Sequence, residues 1–135
     1  MIYKNNPFNI RYSNLNRWKG LLGQDHGYCT FVSLDYGVRT AAYLLMISYK
    51  KRGLRTYAEL IHAFAPPQEN DTWSYIKFVT DKLHVMPFDV PSSVANFAAM
   101  LHYMWFFEQG FRSKPWPTHW ILNVLNRFKL VPYDS

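Results

Sequence analysis

The apolar residues change their spacing once along the chain, near Tyr36, and that switch limits the fold more than any other feature. Behind it they recur every three or four positions. Tyr36 to Arg52 puts Val38, Ala41, Ala42, Leu45, Met46 and Tyr49 on one face, the pattern of a helix with one buried side. Lys50, Lys51 and Arg52 suit its last turn, where cations meet the helix dipole, and Gly53 suits its stop. Thr56 caps a second helix through His62, with Glu59 placed to close a capping box. Ala65-Pro66-Pro67 then breaks the chain. Asn70, Asp71 or Thr72 caps a third helix running to about Leu83, and Pro87 and Pro91 mark the next loop. Ser92 or Ser93 caps a fourth helix to about Glu108. Pro115 and Pro117 lie in the following turn, and Thr118 or His119 opens a last helix to about Lys129.

Ahead of Tyr36 the pattern is short and strand-like. Ile10 to Tyr12, Trp18 to Leu22 and Tyr28 to Val32 read as two or three small strands in a hairpin or meander. Asn5-Asn6-Pro7 and Asn14 to Asn16 are turn signals, and Gly23 to Gly27 reads as a glycine-bounded loop. Together these features predict an α+β, mostly α fold: about five helices with a small N-terminal β element. No internal repeat or boundary interrupts it, so residues 1–135 are expected to form a single domain.

With 49% hydrophobic and 19% aromatic residues, the chain has the composition of a packed core, which excludes a disordered or low-complexity class. The formal net charge of +6 suits an anionic partner such as nucleic acid, a membrane surface or a wall polymer, and equally suits plain solubility. The lone Cys29 cannot form an intrachain disulfide and reads as a small buried hydrophobe. His26, His62, His84, His102 and His119 form no i, i+4 pair, so no metal or other cofactor is expected. Neither a Gly-rich phosphate loop nor an aromatic RNA-binding strand is present, and nucleic acid is not the expected partner. Met1 to Asn9 lacks the charge and apolar run of a secretory signal, and no stretch reaches membrane-spanning length.

Several blocks carry a resemblance. Asn5 to Tyr12 resembles the NNPGNIRY opening of a phage and prophage virion-protein family with lysozyme-like character, with Phe8 in place of Gly. Trp18-Lys19-Gly20, Gly27 to Phe31, Tyr36 to Ala41 and Gly53 to Thr56 are similar to its W-x-G, G-F-x-x-F, YG-x-RA and GL-x-T blocks. Ala65 to Thr72 with Tyr75-Ile76 is similar to its APP-x-EN-x-T-x-x-YI block, the most specific of the set. The resemblance covers residues 5 to 85 and loosens beyond them. It implies a lysozyme-like fold that cleaves peptidoglycan, with an essential Glu at the end of a buried helix beside a small hairpin.

Cleaving a glycosidic bond needs a carboxylic acid still protonated at the moment the leaving oxygen needs a proton, which apolar surroundings provide. The chain offers three Glu. Glu59 is accounted for as a cap. Glu69 lies at a helix start, where the dipole favours the charged form. Glu108 ends the run Met100 to Phe107 and has the aromatic setting expected of a general acid. In ordinary lysozymes the Glu helix precedes the hairpin. Here it follows by about a hundred residues, so a circular permutation is expected to bring the two together. Asp25, between the hairpin strands, is the second candidate, to position water or stabilise an oxocarbenium ion, and Glu69 the third. Tyr12, Trp18, Tyr28, Asn70 and Tyr75 are the candidate substrate-binding residues. The partner expected is the peptidoglycan glycan strand, with an immunity or inhibitor protein as a second. Without a signal, delivery to the periplasm or cell wall falls to a phage particle, holin-type release or a contractile secretion apparatus. A non-catalytic virion or wall-binding module of the same fold, and more distantly a basic nucleic-acid-binding domain, are the alternatives.

Overall fold

The structure, a computed structural model, describes residues 2–134. It is α+β and mostly helical: a two-stranded antiparallel hairpin followed by five helices. The hairpin pairs β1 (Leu21–Asp25) with β2 (Tyr28–Phe31), with a bulge between Leu21 and Gly23. The loop predicted over Gly23 to Gly27 is therefore shorter. Gly23, Gln24 and Asp25 pair with Thr30, Cys29 and Tyr28, and only His26 and Gly27 turn the chain. Both have positive φ (50° and 86°), the backbone that matches the twist of flanking strands.

The third strand expected at Ile10 to Tyr12 reduces to a bridge between Arg11 and Tyr28. Two left-handed asparagines, Asn5 (φ 56°) and Asn9 (φ 53°), bend the segment out of extended conformation. It is held instead by side-chain amides. Asn6 is wholly buried, donates to the carbonyls of Ile10 and Cys29, and accepts from the Ile10 amide. Asn5 donates to the carbonyl of Phe31. The strand expected from Trp18 begins only at Leu21, because Gly20 has φ 75°.

Helix α1 runs over residues 34–51: regular turns at Leu34–Tyr43, a π-helical turn at Leu44–Ser48 and a last turn at Tyr49–Lys51. The predicted face is buried from Val38 to Met46. The extra residue of the π turn then rotates the last turn, so Tyr49 is only half-buried and faces a cleft. Helices α2 (Tyr57–Phe64), α3 (Thr72–Leu83), α4 (Val94–Gln109) and α5 (Thr118–Arg127) complete the body. Thr56 with Glu59, and Ser93 with Asn96, close capping boxes, and Asp71 caps α3. Glu59 thus has the structural role its position indicated.

Helix α4 is the central one and packs against α5, α3 and α1. Phe97, Met100, Leu101 and Met104 on it are fully buried. Two glycines let the N-terminal segment close on α1. A Cβ on Gly37 would lie 2.0 Å from the carbonyl oxygen of Asn5, and one on Gly20 would lie 2.2 Å from the Tyr36 ring.

Candidate active site

The segment pinned by Asn6 runs on to meet the C-terminal end of α4. Asn9 donates to Glu108 Oε1 at 2.9 Å, and Gln109 donates to the Pro7 carbonyl at 2.8 Å and to Asn9 Oδ1 at 3.3 Å. The end of the Glu108 helix therefore meets the segment that precedes the hairpin, across a sequence separation of 99 residues, and of the hairpin itself Tyr28 lines the same cleft. A cleft of about 380 Å3 opens at this junction. Its walls come from Phe8 to Arg11, from Tyr28 on β2, from Leu44 and Tyr49 on α1, and from the Phe64 to Asn70 stretch after α2. Glu108 lines it from the last turn of α4.

Burial pushes the Glu108 carboxyl above the usual carboxylate range, while the Asn9 amide and the Tyr75 hydroxyl oppose that shift by favouring the charged form. Its place at a helix C-terminus, the negative end of the dipole, adds to the upward push. Behind it, Tyr75 on α3 is wholly buried and stacks on Phe107 with ring centroids 4.2 Å apart. Burial, and next the Glu108 charge, push its phenol well above the ordinary value. The buried Tyr75 hydroxyl interacts with Glu108 without a hydrogen bond of standard geometry. Tyr75 is thus a neutral support for the carboxyl rather than a cleft-lining residue. Desolvation likewise raises the Tyr49 phenol to about 12, so it presents a neutral hydroxyl to the cleft.

Of the other candidates, Trp18, Tyr28, Glu69 and Asn70 line the same cleft. Glu69 is exposed on the turn after α2 and pairs with Arg11 Nε at 3.1 Å. Both side chains of that pair are about half exposed, so it contributes little to stability, but it occupies the second carboxylate of the cleft. Asn70 donates to the Pro66 carbonyl at 3.2 Å. Tyr28 stacks on Tyr3 at 4.3 Å and has the Arg11 guanidinium 5.0 Å from its ring centroid, so its ring is already engaged. Trp18 meets Tyr43 edge to face and keeps part of its surface in the cleft.

Asp25 and Tyr12 are not among the lining residues. Asp25 is the last residue of β1, exposed at the hairpin tip and hydrogen-bonded to His26 at 2.5 Å. The two-residue turn carries it to the tip, where a longer loop would have let it fold back. Tyr12 is exposed beside that tip, its amide bonded to the Gly27 carbonyl. Cys29 is buried, and desolvation raises its thiol to about 11, which leaves no thiolate at neutral pH. Among the described residues, no group of three or more His, Cys, Asp or Glu comes together to hold a metal. None of the described helices is long and apolar enough to cross a membrane.

Sequence reasoning misses Asn9, Gln109, Arg11 and Tyr49. Asn9 and Arg11 stand inside the Asn5 to Tyr12 block, whose density of asparagines is the available signal. Apolar spacing assigns Tyr49 to the core, because a π turn leaves no mark in that spacing.

No protein-family model matches the chain. It is 35% identical over 82 residues to Protein P5 of Pseudoalteromonas phage PM2, a match that takes in 58% of this chain and 51% of that protein. The chain thus spans about half the length of the relative it matches. The similarity to a phage protein bears out the phage association expected from the motif blocks, and it carries no information about catalysis.

Proposed function

We propose that the chain is a peptidoglycan-cleaving glycosidase, a muramidase or lytic transglycosylase, that works from a phage particle or as a delivered lysin. The observation that carries this reading is Glu108: a largely buried carboxyl, held above its usual titration range, lining an open cleft. In this reading Glu108 gives its proton to the glycosidic oxygen as the bond from that oxygen to the sugar's anomeric carbon breaks. Glu69 is tied to Arg11, so the attacking oxygen comes from water or from the substrate itself, through its N-acetyl group or C6 hydroxyl. With water, the nucleophile's proton returns to Glu108 and the enzyme is regenerated. With the C6 hydroxyl, an intramolecular ether forms and Glu108 recovers its proton from that hydroxyl. Trp18 and Asn70 supply a stacking face and a polar contact for the sugars. The basic surplus of the chain is compatible with an anionic wall.

Zymography on purified cell wall tests the reading. Wild type is expected to clear the wall, and Glu108→Gln to lose clearing by roughly a thousandfold, the scale of removing a general acid. Equal clearing by the variant overturns the assignment. A second reading, a wall-binding virion module without activity, is favoured by the Arg11–Glu69 pair, which leaves the cleft without a free second carboxylate. Sedimentation of wild type with wall but no clearing is its signature.

A further inference from the structure

The junction of the N-terminal segment with α4 carries more than adhesion. Resting on the reading of Glu108 as the acid, we propose that Asn9 is its positioning residue: the Asn9 amide, oriented by Gln109, claims Oε1 of Glu108 and leaves Oε2 to carry and deliver the proton.

Three contacts carry this. Asn9 Nδ2 donates to Oε1 at 2.9 Å. An oxygen that accepts a hydrogen bond from a fixed N–H is the carbonyl-like oxygen of the neutral acid, so the acidic hydrogen resides on its partner. Gln109 Nε2 donates to Asn9 Oδ1 at 3.3 Å, which fixes the amide with its NH2 toward Glu108 and rules out the flipped orientation. Gln109 is itself anchored on the Pro7 carbonyl at 2.8 Å, just ahead of Asn9 in the chain. The backbone supports the arrangement: Asn9 sits at φ 53°, a conformation asparagine tolerates. The other titratable or charged groups around Glu108 are Tyr75 behind it and Tyr28, Tyr49, Arg11 and Glu69 around the cleft. Tyr75 and Tyr49 stay neutral at working pH, and Arg11 and Glu69 pair with each other.

The test uses a direct titration, because the chain has three Glu and 13C labelling of their side-chain carboxyls gives a small, assignable spectrum. Asn9→Gly keeps the left-handed backbone and deletes the donor. Asn9→Asp keeps the shape and substitutes a like charge. Both are expected to fold and to move the Glu108 titration upward, the Asn9→Asp variant further than the Asn9→Gly one. The basic limb of the wall-clearing pH profile is expected to shift the same way. The clearing rate at saturating wall is expected to fall roughly ten- to a hundredfold, with half-saturation little changed. Gln109→Ala is expected to act in the same direction, more weakly. Clearing by wild type with a Glu108 titration unmoved in both folded variants overturns the role of Asn9 alone. A wild type that clears no wall at any pH overturns the glycosidase reading itself.

Discussion

The N-terminal segment and the helical body are held together by different means. The body, from α1 to α5, rests on apolar packing: Leu101, Met104, Leu45 and Ile121 share one buried cluster, and any residue of similar shape could fill each place with modest loss. The segment from Tyr3 to Arg11 inserts Phe8 and Ile10 into that cluster, but it has little regular pairing and its backbone path rests on named amides, with Asn6 alone making three buried hydrogen bonds. A pattern specifies the first, and individual residues specify the second. The cleft lies where they meet, so its acid takes a wall of aromatics from one and a hydrogen-bond donor from the other.

The sharpest way to break this contrast is a matched pair of truncations. Leu101→Ala and Asn6→Ala should each cost about 3 kcal/mol, the first through a core cavity and the second through buried backbone groups left without partners. Hydrogen exchange should tell them apart. Leu101→Ala should lower protection throughout the helices, whereas Asn6→Ala should release residues 3–12 first. Uniform loss in both would mean the two regions are one cooperative unit.

A smaller effect is expected at their seam. Gly37→Ala should cost about 2 kcal/mol in chemical denaturation, although alanine is the better helix former, because its methyl would press on the Asn5 carbonyl. A neutral or stabilising outcome would show that the seam yields easily.

The smallest effect concerns the acid. Folding raises the Glu108 titration, so the neutral form is favoured in the folded chain. Its stability contribution is complete below the ordinary carboxylate range and declines as pH rises through the folded-state value. Glu108→Gln removes that decline. Its melting temperature should exceed that of wild type by about 3 °C at pH 7, with the gap closing at pH 4. A gap independent of pH would point to packing instead of charge.

The same division explains what is legible in the sequence. Thr56 with Glu59 and Ser93 announce their helices, because capping is a local signal. The setting of Glu108 can also be read, since the aromatic run precedes it directly in sequence. Its partner Asn9 cannot, because nothing local links residues 99 positions apart. Asp25 departs from its expected place for a related reason. Whether Gly23 to Gly27 loops or pairs depends on the opposite strand, and pairing shortens the turn and sends the carboxylate to the tip.

The contact between Asn9 and Glu108 also sets an order of assembly. The helices and the hairpin depend on neighbours close in sequence and can form early, while joining residue 9 to residue 108 closes a loop of about a hundred residues, a slow and entropically costly event. A chain whose helices have packed before that closure has Glu108 against its aromatic wall but lacks the Asn9 donor, the contact that favours the charged form. Docking of residue 9 changes the hydrogen bonding of that carboxyl directly, so the titration of one side chain reports whether the long loop has closed.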